Sequence, residues 1–173
     1  LYFQTFVVFM PIFYTDVFGL APAAMGTMML FSRFWDAAND PLMGMIADRT
    51  DTKWGKFRPY IAGFAIPIGL AGFFAFNTPN FGASGNLIYA YVTYILLMMM
   101  YTGVNVPYAA LMGVITPNSA ERTSVSQYRF AFAFIGQFIA GAVTLGLVEY
   151  FGSGNEAIGW RMVMVLYGIV AAE

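Results

Sequence analysis

Two aspartates and an asparagine share one face of a predicted helix in a chain that is otherwise mostly apolar. Asp36, Asn39 and Asp40 stand at positions i, i+3 and i+4, which a helix brings to the same side. Two carboxylates and an amide present hard oxygen ligands, which suit a small hard cation or a proton. Transition metals prefer imidazole or thiolate ligands, and the sequence contains neither His nor Cys.

A simpler interpretation of these residues is an ion pair that only holds helices together. Arg33 lies three residues before Asp36 and therefore on the same face. Such a pair would leave one carboxylate over, and an ionisable group at membrane depth costs at least about 2.5 kcal/mol unless it faces a partner or a cavity. The pattern favours a cation site, with the structural ion pair as the alternative.

The composition indicates that the solvent around this cluster is a bilayer. Of the 173 residues, 60% are hydrophobic and only 10% are charged, whereas soluble domains have about 25% charged residues. A net charge of −1 argues against a nucleic-acid partner. Without His or Cys the common nucleophile–base pairs and zinc sites are excluded, so we predict neither an enzyme nor a cofactor.

Six apolar segments are predicted to cross the membrane, for which a helix needs about 20 residues. Backbone groups in lipid must be hydrogen-bonded internally, and the alternating strands of a barrel are not seen, so the segments are predicted to be helices. Their predicted bounds are 1–14, 23–47, 59–76, 87–111, 125–150 and 159–173. We expect the first and last of them to be truncated parts of longer helices.

The charges of the connections predict the orientation. The connection between the second and third segments carries Arg49, Lys53, Lys56 and Arg58, and the one between the fourth and fifth carries Arg122. The connections between the first and second and between the third and fourth segments contain no Lys or Arg. The positive-inside rule therefore places both basic connections and the N-terminus in the cytoplasm.

A second group of polar and aromatic side chains lies on the fourth segment and at the start of the fifth. Thr102 and Asn105 are flanked by Tyr101 and Tyr108, and Arg129 begins the next segment. We expect these residues to line a cavity beside the carboxylates. The alternatives are interhelical hydrogen bonds for Thr102 and Asn105 and an interfacial position for Arg129.

A charged stretch at the end of the second segment has the composition of a gate. Gly44 permits close approach of helices, and Asp48 can pair with basic residues across a junction between helices. Such contacts are readily broken and remade, although a loop that only sets the topology is the alternative. The predicted gate comprises Gly44, Asp48, Arg49, Lys53, Lys56 and Arg58.

Several stretches resemble the glycoside–pentoside–hexuronide:cation symporters, a family of the major facilitator superfamily that includes melibiose permease. The resemblance covers nearly the whole chain. It lies in YTDVFGL (14–20), RFWDAANDPLMG (33–44), DRTDTKWGKFRPY (48–60), YTGVNVPYAAL (101–111) and SAERTSVSQYRF (119–130).

The resemblance implies a secondary transporter with twelve helices in two six-helix halves, each half an inverted pair of three-helix repeats. This chain is then an N-terminal half-domain in a bacterial inner membrane, and the C-terminal six helices are its missing partner. The implied cation site consists of Asp36, Asn39, Asp40 and Thr102, and it would hold Na⁺, Li⁺ or a proton.

The resemblance also implies a sugar substrate, namely a glycoside, pentoside or hexuronide. Its expected ligands are Tyr101, Asn105, Tyr108 and Arg129. Asn105 stands where the melibiose permease pattern has a carboxylate, Ala109 replaces an aromatic residue one turn later, and a further carboxylate of the pattern lies at or before the start of this chain. A lysolipid or another organic solute on the same scaffold is one alternative, and a non-transporting membrane scaffold protein is another.

Overall fold

The computed structural model describes residues 2–115 and 117–172, and every regular element in this part of the chain is helical. A short π-helical segment, Phe13–Val17, continues the first helix. The α-helices are α1 (Tyr2–Ile12), α2 (Pro22–Arg49), α3 (Arg58–Ala75), α4 (Gly82–Ile115), α5 (Ser119–Gly152) and α6 (Glu156–Ala172). The prediction of an all-helical chain is confirmed.

Some helix bounds differ from the predicted ones for local reasons. The chain remains helical to Val17 because the π segment follows α1 directly, whereas the first helix was predicted to end at residue 14. The predicted start of α4 at residue 87 is wrong, since the helix begins at Gly82. The predicted start of α5 at residue 125 is also wrong, because Asn118 caps that helix by accepting a hydrogen bond of 3.0 Å from the Ala120 amide.

Three helices in the described part of the chain have the length and apolar composition needed to cross a membrane. They are α3, α4 over residues 84–114, and α5. A shorter apolar stretch, Thr5–Val17, covers α1 and the π segment. The 28 residues of α2 extend over about 42 Å, and the polar cluster makes this helix the least apolar of the long ones.

Part of the helix packing has the pairing that an inverted repeat of two three-helix units predicts. Helix α2 packs along α4, and its counterpart α5 packs along α1, while α3 and α6 pack against each other. Further contacts join α3 to α4 and α5 to α6. The polar face of α2 is thereby brought to α4, the helix that carries the second group of polar residues.

Aromatic side chains fill the core at the end of the bundle opposite the basic loop 50–57. Phe13, Phe76 and Trp160 are buried together, with ring centroids 4.8 Å apart for Phe13 and Phe76 and 5.5 Å apart for Phe76 and Trp160. Each such pair adds about 0.5–1.5 kcal/mol beyond the burial of its area. Gly159 brings α6 close to α5, since a Cβ at this position would lie 2.1 Å from the Val148 carbonyl oxygen.

Candidate functional site

The candidate site lies on the seam where α2 packs against α4. Polar side chains meet across this seam at three levels, and each level joins one residue of α2 to one of α4. The pairs are Thr27 and Tyr91, with hydroxyl oxygens 2.9 Å apart, Ser32 and Tyr94, with hydroxyl oxygens 3.5 Å apart, and Asp40 and Thr102, 3.0 Å apart.

The contact between Asp40 and Thr102 joins the two groups of polar residues that the sequence indicated. Thr102 is 3% exposed, and its hydroxyl donates to Asp40 Oδ1. Asp40 itself is exposed in the described part of the chain. One carboxylate oxygen is therefore held in place while the side chain stays accessible. The assignment of these residues to a cation site remains a prediction.

The other two members of the α2 cluster, Asp36 and Asn39, are half-buried. Asp36 Oδ1 is buried and has no hydrogen-bond partner among the described residues. Arg33 is exposed and forms no ion pair with Asp36 in this part of the chain. The structural ion pair that was the alternative interpretation of this cluster is therefore not formed here.

Two prolines add backbone acceptors near these side chains, a signal that the sequence analysis did not use. Pro41 follows Asp40 inside α2, and Pro107 lies inside α4. A proline has no N–H to offer to the carbonyl four residues before it, so the carbonyls of Ala37 and Gly103 lose their usual helical donors. These carbonyls directly follow Asp36 and Thr102 in the sequence.

Helix α3 packs closely against α4 at the residue that follows Thr102. The neighbouring Gly103 is buried, and a Cβ at this position would lie 2.9–3.1 Å from three ring atoms of Phe64 on α3. Those distances are too short for an ordinary carbon contact. The absence of a side chain at Gly103 therefore lets the Phe64 ring lie directly on α4, next to the residue that contacts Asp40.

The predicted sugar ligands occupy one face of α4 and the facing part of α5. Tyr101, Asn105 and Tyr108 follow the spacing i, i+4 and i+7, which places them on the same side of α4. The Arg129 guanidinium carbon lies 4.8 Å from the centroid of the Tyr108 ring, and its Nη1 donates to Met112 Sδ at 3.1 Å. Arg129 is thus directed at the α4 face, and no carboxylate of the described residues forms an ion pair with it.

The basic loop 50–57 is a closed turn with its own hydrogen bonds. The hydroxyls of Thr50 and Tyr60 are hydrogen-bonded across its two ends. Within it, Thr52 Oγ1 donates to the Gly55 carbonyl at 2.7 Å and accepts from the Trp54 amide at 3.2 Å. Gly55 has a φ of +92°, which favours glycine there. The loop therefore presents its charged side chains on a defined backbone.

The predicted gate residues make fewer contacts with one another and with neighbouring helices than the sequence predicted. Gly44 faces α4, but an added Cβ would lie 3.9 Å from Val106 Cγ1, an ordinary contact, so the helix approach there does not require glycine. The expected pairing of Asp48 with basic residues is not formed within the described part of the chain. Asp48 and the basic members of the gate are all exposed; the latter are Arg49, Lys53, Lys56 and Arg58.

Comparison with known proteins places this architecture among transporters. Residues 2–172 match the family described as MFS/sugar transport protein. The chain is 48% identical to the putative glycoside/cation symporter YagG of Escherichia coli, over 91% of this chain and 34% of that protein. It is 40% identical to the inner membrane symporter YicJ of the same organism, over 98% of this chain and 37% of the relative.

A third relative is the isoprimeverose transporter of Lactiplantibacillus pentosus, which is 39% identical over 92% of this chain and 34% of the relative. The chain spans little more than a third of the length of these relatives. They and the matched family are transporters and not enzymes, as the residue content predicted, and the fold is that of a multi-pass membrane protein. The chain belongs to the MFS/sugar transport family, and within it to the glycoside–pentoside–hexuronide:cation symporters that its motifs resemble.

Proposed function

We propose that the full-length protein carries a sugar across the membrane together with a monovalent cation by alternating access. This chain would supply the cation site and one side of the sugar cavity. The observation that carries the proposal is the hydrogen bond from Thr102 to Asp40, one turn from the half-buried Asp36 inside a membrane bundle. The names of two relatives, a putative glycoside/cation symporter and an isoprimeverose transporter, support it.

The cation ligands in this proposal are Asp36, Asn39, Asp40 and Thr102. They offer two carboxylates, an amide oxygen and a hydroxyl, a set of hard oxygen donors that fits Na⁺ or Li⁺, and the carboxylates can also take a proton. Two ionised carboxylates four residues apart on a helix repel each other. A bound cation or proton removes that repulsion, so the geometry of the seam depends on occupation of the site.

The sugar ligands in this proposal are Tyr101, Asn105, Tyr108 and Arg129. The guanidinium of Arg129 uses one N–H on Met112 Sδ and its π face on the Tyr108 ring, so it has further N–H donors for sugar hydroxyls. The amide of Asn105 can both donate and accept, as sugar hydroxyls do. The phenol rings provide flat apolar surfaces for a pyranose or furanose ring.

Coupling between the two sites follows from their shared helix. Thr102, a cation ligand in this proposal, lies between Tyr101 and the turn of α4 that carries Asn105. A change in the α2–α4 contact on cation binding would therefore move sugar ligands. Linkage requires that sugar and cation raise each other's affinity by the same factor.

The remaining parts of the proposal concern the whole protein. The chain would be the N-terminal half of twelve helices in a bacterial inner membrane. The basic loop 50–57, the N-terminus and the start of α5, where the structure places Arg122, would lie in the cytoplasm. The exposed gate residues at the end of α2, Asp48 and Arg49, and those of loop 50–57 would find their charged partners on the other half. Breaking and remaking those contacts would accompany the rocking of the halves.

The test is uptake of radiolabelled glycosides, pentosides and hexuronides by the full-length protein in proteoliposomes, with imposed Na⁺, Li⁺ or H⁺ gradients. We expect at least one of these gradients to drive accumulation of a sugar above its external concentration. Uptake that ignores all three gradients would contradict symport. Uptake of lysolipids but not of sugars would support the alternative of a lysolipid symporter with the same fold. Absence of uptake of any solute would support the alternative of a non-transporting membrane scaffold protein.

A further inference from the structure

A small cavity lies beside the candidate cation site, on the side that faces α1. Its volume is about 30 Å³, enough for a water molecule, which needs about 10–15 Å³ on this measure, and far too small for a sugar. Its polar lining consists of Ser32, Asp36 and Tyr94, together with the exposed Arg33. Apolar side chains of α1, α2 and α4 form the rest of the wall, among them Phe6, Met10 and Met98.

The polar groups around this cavity have unused hydrogen-bonding capacity. Asp36 Oδ1 is buried without a partner among the described residues, and such groups are normally paired with protein or with ordered water. Ser32 Oγ donates to the Met29 carbonyl at 2.9 Å, so its lone pairs stay available. Its distance of 3.5 Å to the Tyr94 hydroxyl is at the outer limit for a direct bond, where an intervening water is the usual explanation.

We propose that this cavity is a hydration site, in which one water molecule hydrogen-bonds the Asp36 carboxylate and the hydroxyls of Ser32 and Tyr94. The water has three polar partners, within the two to four that a buried water requires. It would hold Asp36 from the α1 side, while Thr102 holds Asp40 from the α4 side. Ser32 and Tyr94 are then positioning residues for the coupling cation, which they do not touch.

This inference rests on the proposed function, because it assigns Asp36 a defined orientation in the cation site. Outer-shell partners fix the orientation of a ligand, and their loss typically lowers the affinity for the ion. A carboxylate that loses its water is free to turn, so the geometry offered to the cation becomes less defined. The site would then discriminate less strongly between cations of different radius, such as Na⁺ and Li⁺.

The seam itself provides a matched control. Thr27 and Tyr91 form the same kind of hydroxyl pair between α2 and α4, at 2.9 Å, but neither lines the cavity. The experiment compares Ser32→Ala and Tyr94→Phe with Thr27→Ala and Tyr91→Phe in the full-length protein. The cation concentration for half-maximal sugar uptake is measured with Na⁺ and with Li⁺, together with the maximal rate at saturating cation.

We expect the two cavity variants to raise the half-maximal cation concentration by roughly three- to tenfold, as for one lost hydrogen bond, and to narrow the Na⁺/Li⁺ preference. Their maximal rates should stay near wild type, which shows that they fold. Equal shifts in the Thr27 and Tyr91 variants, or unchanged cation constants in the cavity variants, would overturn the hydration site while leaving symport intact. A wild-type protein that ignores every cation would overturn the proposed function as well.

If the cavity variants do not fold, the water molecule itself can be sought in a structure of the wild-type protein. An experimental structure of the wild-type full-length protein, at a resolution that shows ordered water, should have density in the cavity within hydrogen-bond distance of Asp36, Ser32 and Tyr94. A cavity without density in such a structure would refute the proposal.

Discussion

The hydroxyl of Thr102 donates a hydrogen bond of 3.0 Å to Asp40, which lies 62 residues earlier in the chain. This bond crosses the α2–α4 seam and joins a carboxylate of the predicted cation site to the helix that carries the predicted sugar ligands. A shift of either helix along the other would break it. In the proposed function, this bond links the occupation of the cation site to the position of α4.

Removal of the Thr102 hydroxyl should weaken cation binding without abolishing sugar transport. Thr102→Val keeps the shape of the side chain and loses a hydrogen bond worth about 1 kcal/mol, or roughly fivefold in cation affinity. The measurement is the cation concentration for half-maximal uptake. Thr93→Val is the matched control, since Thr93 is also a buried threonine of α4 but donates to carbonyls of its own helix at 2.8 and 3.3 Å. Equal effects of both variants would argue against a cation role for Thr102.

The contact between Arg129 and Tyr108 should set sugar affinity rather than cation affinity. Tyr108→Leu removes the ring that lies 4.8 Å from the guanidinium, an interaction of about 0.5–2 kcal/mol. We expect the KM for sugar at saturating cation to rise by roughly two- to thirtyfold. Tyr108→Phe keeps the ring and should change KM much less. An effect of Tyr108→Phe on KM as large as that of Tyr108→Leu would show that the phenol hydroxyl, and not the ring, is what matters.

The packing of Phe64 on Gly103 predicts a stability effect that a second substitution reverses. Gly103→Ala places a methyl group 2.9–3.1 Å from the Phe64 ring, and overpacking of this kind costs about 1–3 kcal/mol. The melting temperature of the purified protein should fall, and Phe64→Leu in the same chain should restore much of the loss. Gly113→Ala, on the same helix with nothing within 4 Å of its Cβ, should leave the melting temperature unchanged or raise it slightly. Additive losses in the double variant would contradict this packing.

The orientation of the chain in the membrane can be determined with two single-cysteine variants, one at each end of α3. The chain contains no Cys, and any cysteines elsewhere in the full-length protein would be replaced. Asn80→Cys, in the loop after α3, should react with a membrane-impermeant maleimide on intact cells. Lys53→Cys, in the loop before α3, should react only after the membrane is permeabilised. The reverse pattern would invert the orientation derived from the basic loops.

The α2 cluster could be predicted from sequence because its information is local. The spacing of Asp36, Asn39 and Asp40 places them on one face in any helix, and lipid around the bundle requires that this face turn to the bundle interior or to a cavity. Thr102 was different, since nothing in its own neighbourhood distinguishes it from a threonine that bonds its own helix. Only the family resemblance assigned it to the same cation site as Asp40.

Other features depend on tertiary contacts and left little trace in the sequence. The start of α4 is rich in turn-forming residues, yet Asn86 Oδ1 accepts a hydrogen bond of 3.0 Å from the Phe81 amide and secures the helix there. Ser32 and Tyr94, 62 positions apart in the sequence, are brought to one cavity by the packing of α2 against α4. The ion pair of Arg33 with Asp36, which was the alternative interpretation of this cluster, is absent from the described residues, although the spacing of the two residues allowed it.

The most direct test of the account is concentrative sugar uptake by Asp40→Asn in the full-length protein, under the cation gradient that drives the wild type. Asn keeps the size of the side chain and removes its charge, so the cation loses one of its two carboxylates. Asp51→Asn, an exposed loop residue, is the matched control. The account predicts that Asp40→Asn equilibrates sugar without accumulating it, while Asp51→Asn accumulates sugar like the wild type. Undiminished accumulation by Asp40→Asn would contradict a coupling site on the α2–α4 seam.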